Sequence, residues 1–250
     1  MGTVKLWDTI IPELSSDVSR RVYVYQPDSY SSTRFPVLYM FDGHNVFFDS
    51  HATYGKSWGM LDYLERTQKE IMVVAVECNH DGNKRLEEYA PFSFATDMFG
   101  KIDGRGRVYM DWLVSTLKPY VDQNFPTLTD RENTGICGSS MGGLMALYGA
   151  VAYQSVFSRA ACLSPSLWVN PEKAAEMIEC CDFKLKSRIY IDYGDAEMDA
   201  HVDNPRILQN TESILQKNGA DVVMNIISGG THCEASWETR IPDFMEYLGF

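Results

Sequence analysis

The sequence predicts an α/β fold of three layers, with a mostly parallel central sheet covered by helices on both faces and antiparallel strands at its N-terminal edge. Three observations carry this prediction. Short apolar runs alternate with segments of helical spacing along most of the 250 residues. The apolar runs are continuous rather than alternating, as strands buried on both faces require. Two strand-like segments at the start are joined by a polar linker with no helix between them, so they pair antiparallel before the strand–helix alternation begins.

The opening strands are "TVKLWDTI" and "RRVYVYQP", separated by "PELSSDVS", a hairpin linker. After the loop "DSYSSTR", the run "FPVLYMFDG" is a buried strand closed by glycine, "SWGMLDYLERTQ" has helical spacing, and "IMVVAVEC" is a second buried strand. A long amphipathic segment follows, "RVYMDWLVSTLKPYVDQNF", with Val108, Trp112, Leu117, Tyr120 and Val121 approximating one face. Then come a short strand at "TGIC", a helix from about Met141, a strand "FSRAACLS", a helix near Pro171 and the strand "SRIYIDYG". In "NPRILQNTESILQKNG", Asn204 suits the cap, Pro205 the first turn and Gly219 the end, while Ile207, Leu208, Thr211, Ile214 and Leu215 share a face. "DVVMNIIS" is the last strand. The closing helix "SWETRIPDFMEYLGF" carries Pro242, which predicts a kink or a delayed start.

Composition narrows the function. The length suits one domain over residues 1–250, and no repeat or linker divides it. With 22 Lys+Arg against 34 Asp+Glu, the formal charge of -12 disfavours nucleic acid and anionic lipid as partners, since both are bound by clustered cations. No apolar run is long enough to span a bilayer, and the N-terminus lacks the basic and apolar regions of a signal peptide. The cysteines at 78, 137, 162, 180, 181 and 233 form no C-x-x-C pair and no zinc-ligand spacing, and no histidine pair has ligand spacing. Cysteines within apolar segments behave as small buried hydrophobes, which points to a reducing, cytoplasmic setting. No metal is expected, and association into a homo-oligomer is left open.

The chemistry gathers around Gly138-Ser139-Ser140-Met141-Gly142, which fits G-x-S-x-G where a strand ends and a helix begins. Glycine spacing selects Ser140 as the central residue. The stretch lacks the lysine of a phosphate loop and the G-x-G-x-x-G spacing of a dinucleotide site, so a phosphate cradle is disfavoured. A serine hydroxyl needs a base within hydrogen-bond reach and a carboxylate behind that base. In an α/β-hydrolase sheet the chain order is serine, acid, histidine. Of five histidines only His201 and His232 follow Ser140, and only His232 lies just after a predicted strand, in "IISGGTHCEASW"; His201 falls in a polar stretch before a helix. "RIYIDYGDAEMDAH" offers the acid. Asp192 lies within the strand and Asp199 far from its end, which leaves Asp195 and Glu197. The backbone N–H of Met141 is one candidate oxyanion donor, and that of His44, in "FDGHN" after an early strand, is the other.

With these residues in place, the chain resembles the esterase branch of the α/β-hydrolases that contains esterase D, feruloyl and acetyl-xylan esterases and enterochelin-type trilactone esterases. The resemblance runs through "VLYMFDGHNVFFD", "MVVAVECN" with "RLEEYAPF", "LKPYVDQNFPTLTDRENTGICGSSMGGLMALY", "LSPSLW" and "GGTHCEASW". It implies a triad without metal or organic cofactor, carried onto Ser140, Glu197 and His232, with Met141 and His44 at the oxyanion. Family members often read Gly-Thr-x-Glu or Gly-Thr-x-Asp after the acid strand. Here "GDAE" puts Asp195 at the threonine position, so Asp195 stays as the alternative acid. Arg85, Glu88, Tyr89 and Trp168 are candidate substrate-binding residues because they follow strands on the presumed active side. The resemblance makes a small acylated carbohydrate the first expectation for substrate, ahead of a siderophore trilactone and S-formylglutathione. A hydrolase fold that has become an inert binding protein is the competing class.

Overall fold

The computed structural model of the chain describes residues 2–28, 33–197 and 204–250. Strands β1 (Thr3–Ile11) and β2 (Ser15–Gln26) form an antiparallel hairpin with a register shift between Ile10 and Ile11. The expected linker is mostly strand: only residues 12–14 turn, and β2 begins at Ser15. Then follow β3 (Val37–Met40), α1 (Met60–Thr67), β4 (Met72–Val76) and α2 (Lys84–Glu88). A small antiparallel pair, β5 (Phe94–Thr96) and β6 (Gly100–Ile102), precedes α3 (Gly106–Trp112) and α4 (Lys118–Asn124). The second half runs β7 (Thr134–Ser139), α5 (Met141–Ala152), β8 (Arg159–Leu163), α6 (Pro171–Glu179), β9 (Arg188–Gly194), α7 (Asn204–Lys217) and β10 (Asp221–Ile227). It ends with α8 (Glu234–Glu238) and α9 (Ile241–Leu248).

Eight strands make one sheet in the order β1-β2-β4-β3-β7-β8-β9-β10. β2 pairs antiparallel with both β1 and β4, and every pairing from β4 onward is parallel. The central strands read as continuous apolar runs because both sheet faces are covered. Along β3, Val37 and Tyr39 enter one core with α3, α4 and α5, whereas Leu38 and Met40 enter the other with α1 and α9.

Two helical expectations change in detail. A π-helical turn at Leu113–Leu117 separates α3 from α4. Tyr109, Met110 and Leu113 join Trp112, Leu117 and Val121 in the core, and the turn shifts the helical phase after it, where Tyr120 is exposed. Pro242 stands in the first turn of α9, after the short helix α8, so the delayed start occurs and no single closing helix forms. In α7, Leu208, Thr211 and Leu215 are buried as expected, and the Asn204 amide donates to Tyr193 Oη at 2.9 Å. No helix among the described residues is long and apolar enough to cross a membrane.

Parallel strands point their C-terminal ends to one edge of the sheet. Ser140 follows β7, Ser164 follows β8, Glu197 follows β9 and His232 follows β10, while the segments at 42–46 and 78–80 follow β3 and β4. The fold thus delivers six separate loops to one cleft.

Candidate active site

Ser140 sits between β7 and α5 with φ 59° and ψ −125°, a left-handed conformation that L-residues rarely adopt. The flanking glycines make this turn possible. A Cβ on Gly138 would lie 2.5 Å from the Gly142 carbonyl oxygen, and one on Gly143 would lie 2.8 Å from that of Leu163. Strand and helix therefore approach too closely for any side chain at either place. Ser139 belongs to β7 and is buried, whereas Ser140 reaches the cleft, where its Oγ makes a hydrogen bond with Ser166 Oγ at 3.3 Å.

His232 Nδ1 is 2.8 Å from Glu197 Oε2. The two candidate acids separate here. Asp195 turns away and accepts the Gly229 N–H through Oδ1 at 2.6 Å, on the exposed side of the loop. Glu197 instead has a fully buried side chain, and its Oε1 accepts from Ser164 Oγ at 2.6 Å, Gly194 N at 3.0 Å and Arg240 at 3.1 Å. Burial pushes the Glu197 carboxyl up, but the His232 and Ser164 hydrogen bonds outweigh it and hold its pKa below the ordinary value. Asp199 and His201 lie outside the described residues.

Behind this pair stands a hub that the sequence reading missed. Arg240, itself buried, donates to Asp192 Oδ1 at 2.9 Å, Ser164 Oγ at 3.1 Å and Ser236 Oγ at 2.8 Å in addition to Glu197. Two buried carboxylates share this one guanidinium, and burial pushes the Asp192 carboxyl up to about 6 even with Arg240 beside it. Trp237 donates through Nε1 to Ser164 Oγ at 3.0 Å and packs edge-on against His232, with ring centroids 5.0 Å apart. An arginine within "WETRIP" carries no local signal of this role, because its partners come from 43 and 48 residues away.

The segment after β3 supplies the opposite wall. Asp42 has φ 54° and leads into a 3-10 turn at Gly43–Asn45; a Cβ on Gly43 would lie 2.8 Å from the Ala75 carbonyl, so only glycine lets the turn pass over β4. Arg85 clamps Asp42 through two hydrogen bonds of 2.7 Å and stacks over Tyr89, with 5.3 Å to the ring centroid. Burial alone would raise the Asp42 carboxyl, but Arg85 outweighs it and leaves its pKa lowered. The His44 imidazole is buried, with Nε2 3.0 Å from Thr53 Oγ1, and burial lowers its pKa.

Ser140 and His232 line two cavities that meet at them. The larger, of about 560 Å³, is also walled by Asp42, His44, Asn45, His80 and Arg85. The smaller, of about 220 Å³, is walled by Met98, Ser166, Trp168 and Tyr193. Of the four residues expected to contact substrate, Arg85 and Trp168 line these cavities. Glu88 and Tyr89 line neither. Glu88 is buried against Arg20 at 3.0 Å and accepts the Asn79 N–H at 2.6 Å, while Tyr89 accepts the Asp42 N–H through its hydroxyl at 3.1 Å. Glu88 is turned inward by its pairing with Arg20 and Tyr89 by its packing against Phe41 and Tyr109, so they support the cleft from beneath it.

A second grouping was also invisible to spacing. His44 and the pair Cys78 and His80 come from different loops, yet one ligand-capable atom of each lies within 4.8 Å of the others.

Comparison with known proteins places this architecture. YbbA of Bacillus subtilis (strain 168) is 27% identical over 184 residues, covering 72% of this chain and 69% of YbbA. The solved enterobactin and salmochelin hydrolase IroE superposes with a TM-score of 0.69 at 20% identity, over 100% of this chain and 95% of IroE. A solved ferulic acid esterase gives a TM-score of 0.69 at 16% identity, over 99% and 98% of the two chains. At such identities the superpositions speak for the fold alone. The sequence itself matches the family described as Putative esterase over residues 15–247, nearly its whole length, and the chain belongs to that family.

Proposed function

We propose that this chain is a serine carboxylic-ester hydrolase that works through an acyl-enzyme on Ser140. The observation that carries the proposal is the 2.8 Å contact of His232 Nδ1 with the buried Glu197, on an imidazole that shares both cavities with Ser140. With Nδ1 held as a donor to the carboxylate, Nε2 is left as the basic atom. In the proposed reaction the Ser140 hydroxyl exchanges its Ser166 partner for that nitrogen. His232 takes the proton as Oγ attacks the ester carbonyl, and Glu197 stabilises the imidazolium. The Met141 N–H is the first of α5 and lacks a carbonyl partner in its own helix, so together with the His44 N–H it can hold the oxyanion. Collapse of the intermediate breaks the bond to the leaving alcohol, which takes the proton from His232. Water then cleaves the acyl-enzyme by the same route.

The two cavities suggest how an ester divides. The smaller one, with Trp168, Met98 and Tyr193, suits an acyl group, and the larger, with its wall of polar side chains, suits a hydroxyl-rich alcohol such as a sugar. An acylated carbohydrate, the feruloyl or acetyl class, is therefore the preferred substrate. Turnover of p-nitrophenyl acetate, acetylated sugars and methyl ferulate by the purified protein tests this. Ser140→Ala should fold and lose turnover by about 10³-fold or more. Retained turnover in that variant, or an inert wild-type protein across the panel, overturns the proposal.

A further inference from the structure

We propose that His44, Cys78 and His80 form a binding site for a thiophilic divalent cation of the zinc class on the wall of the cleft. The three residues converge because β3 and β4 are neighbours, so the turn after one adjoins the segment after the other. Their ligand atoms lie within 4.8 Å of one another, and Cys78 Sγ is 4.0 Å from His80 Nδ1. A tetrahedral zinc with sulfur and nitrogen ligands spaces its donors roughly 3.3–3.6 Å apart, so binding draws the three donors together by up to about 1.5 Å.

Two observations distinguish this group from ordinary packing. Among the described residues His44 Nδ1 has no hydrogen-bond partner, although the residue is only 5% exposed. An orphaned ring nitrogen of this kind is costly unless something binds it. In addition, the outward nitrogen of each ring is already held by oxygen: His44 Nε2 by Thr53 Oγ1 at 3.0 Å and His80 Nε2 by Glu77 Oε1 at 3.0 Å. Oxygen partners of this sort orient ligating imidazoles in metal sites, and here they leave Nδ1 of both rings for the cluster.

The donor set is one sulfur and two nitrogens, which suits zinc far better than calcium or magnesium. Binding forms one metal–sulfur and two metal–nitrogen bonds and releases the Cys78 thiol proton to solvent. One cysteinate and the nearby Glu77 offset the two positive charges, because Asp42 is already paired with Arg85. Three protein ligands leave the fourth position for water or an oxygen ligand entering from the cavity that His44, Cys78 and His80 help to line. The site shares its cavity with Ser140 and His232, so its test reads the bound ion and not turnover.

Titration of the full-length, chelator-treated, reduced protein with Co²⁺ tests the site without reference to esterase activity. The expected result is a sulfur-to-cobalt charge-transfer band that saturates at one ion per chain and is displaced by Zn²⁺. Cys78→Ser should abolish the band. His80 is exposed, so His80→Ala folds, and it should weaken binding at least about tenfold, as should Glu77→Gln. A variant with serine at 180, 181 and 233 should keep the band. Absence of a band in the wild-type protein, or a band that survives Cys78→Ser, overturns the site.

Discussion

Ser140 shows how much local strain a single position holds. Its positive φ costs a residue with a Cβ on the order of 1–3 kcal/mol and costs glycine little. Both Ser140→Ala and Ser140→Gly remove the hydroxyl, yet the glycine variant should be the more stable by about 1 kcal/mol in urea denaturation. Equal stabilities would mean that the turn relaxes once the hydroxyl is gone. Glu197 and Asp195 make a second comparison. Glu197→Gln should lower turnover by orders of magnitude by weakening the hold on the imidazolium, and Asp195→Asn should lower it little, because among the described residues the Asp195 carboxylate bonds the loop backbone at Gly229. The same glutamate gives a pH signature. Its folded pKa lies below the ordinary value of 4.5, so its contribution to stability is present above that value and lost as the pH falls through the folded pKa. The melting temperature of Glu197→Gln should therefore fall less steeply than that of the wild type as pH drops below about 5. Parallel curves would contradict the lowered pKa.

At the scale of elements, the junction of β7 with α5 depends on backbone approach rather than on side-chain contacts. Gly138→Ala would put a methyl 2.5 Å from the Gly142 carbonyl, where two backbone segments must separate; Gly142→Ala would meet the Phe41 Cβ at 3.0 Å. We expect Gly138→Ala to cost about 1–3 kcal/mol and Gly142→Ala distinctly less, measured by chemical denaturation. The reverse order would contradict this account of the turn. These glycines were legible in the sequence because their spacing is local. The π-helical turn at Leu113–Leu117 was not: a period of 3.6 assumes an unbroken helix, and one inserted residue moved Tyr120 out to solvent.

Over the whole molecule, parallel strand order explains why the candidate site was partly readable. Ser140, His232 and the acid pair Asp195 and Glu197 could be proposed together because each follows a strand and the sheet brings those strand ends together, while the preference for Glu197 came from the family resemblance. What escaped reading was the layer behind them. Arg240 gathers Asp192, Ser164, Glu197 and the loop at 231–236, contacts that no sequence period encodes, and Glu88 and Tyr89 turned inward for the same non-local reason. Arg240→Ala would strand two buried carboxylates and should cost about 3–5 kcal/mol in denaturation, with loss of turnover. A cost below about 1 kcal/mol would show that water replaces the guanidinium easily.

The most direct test of the central claim is covalent labelling with a fluorophosphonate followed by peptide mass analysis. Folded wild-type protein should take one adduct, on Ser140, with labelling abolished in Ser140→Ala and greatly slowed in His232→Ala. An adduct on any other residue, or no adduct on folded wild-type protein, would contradict the account.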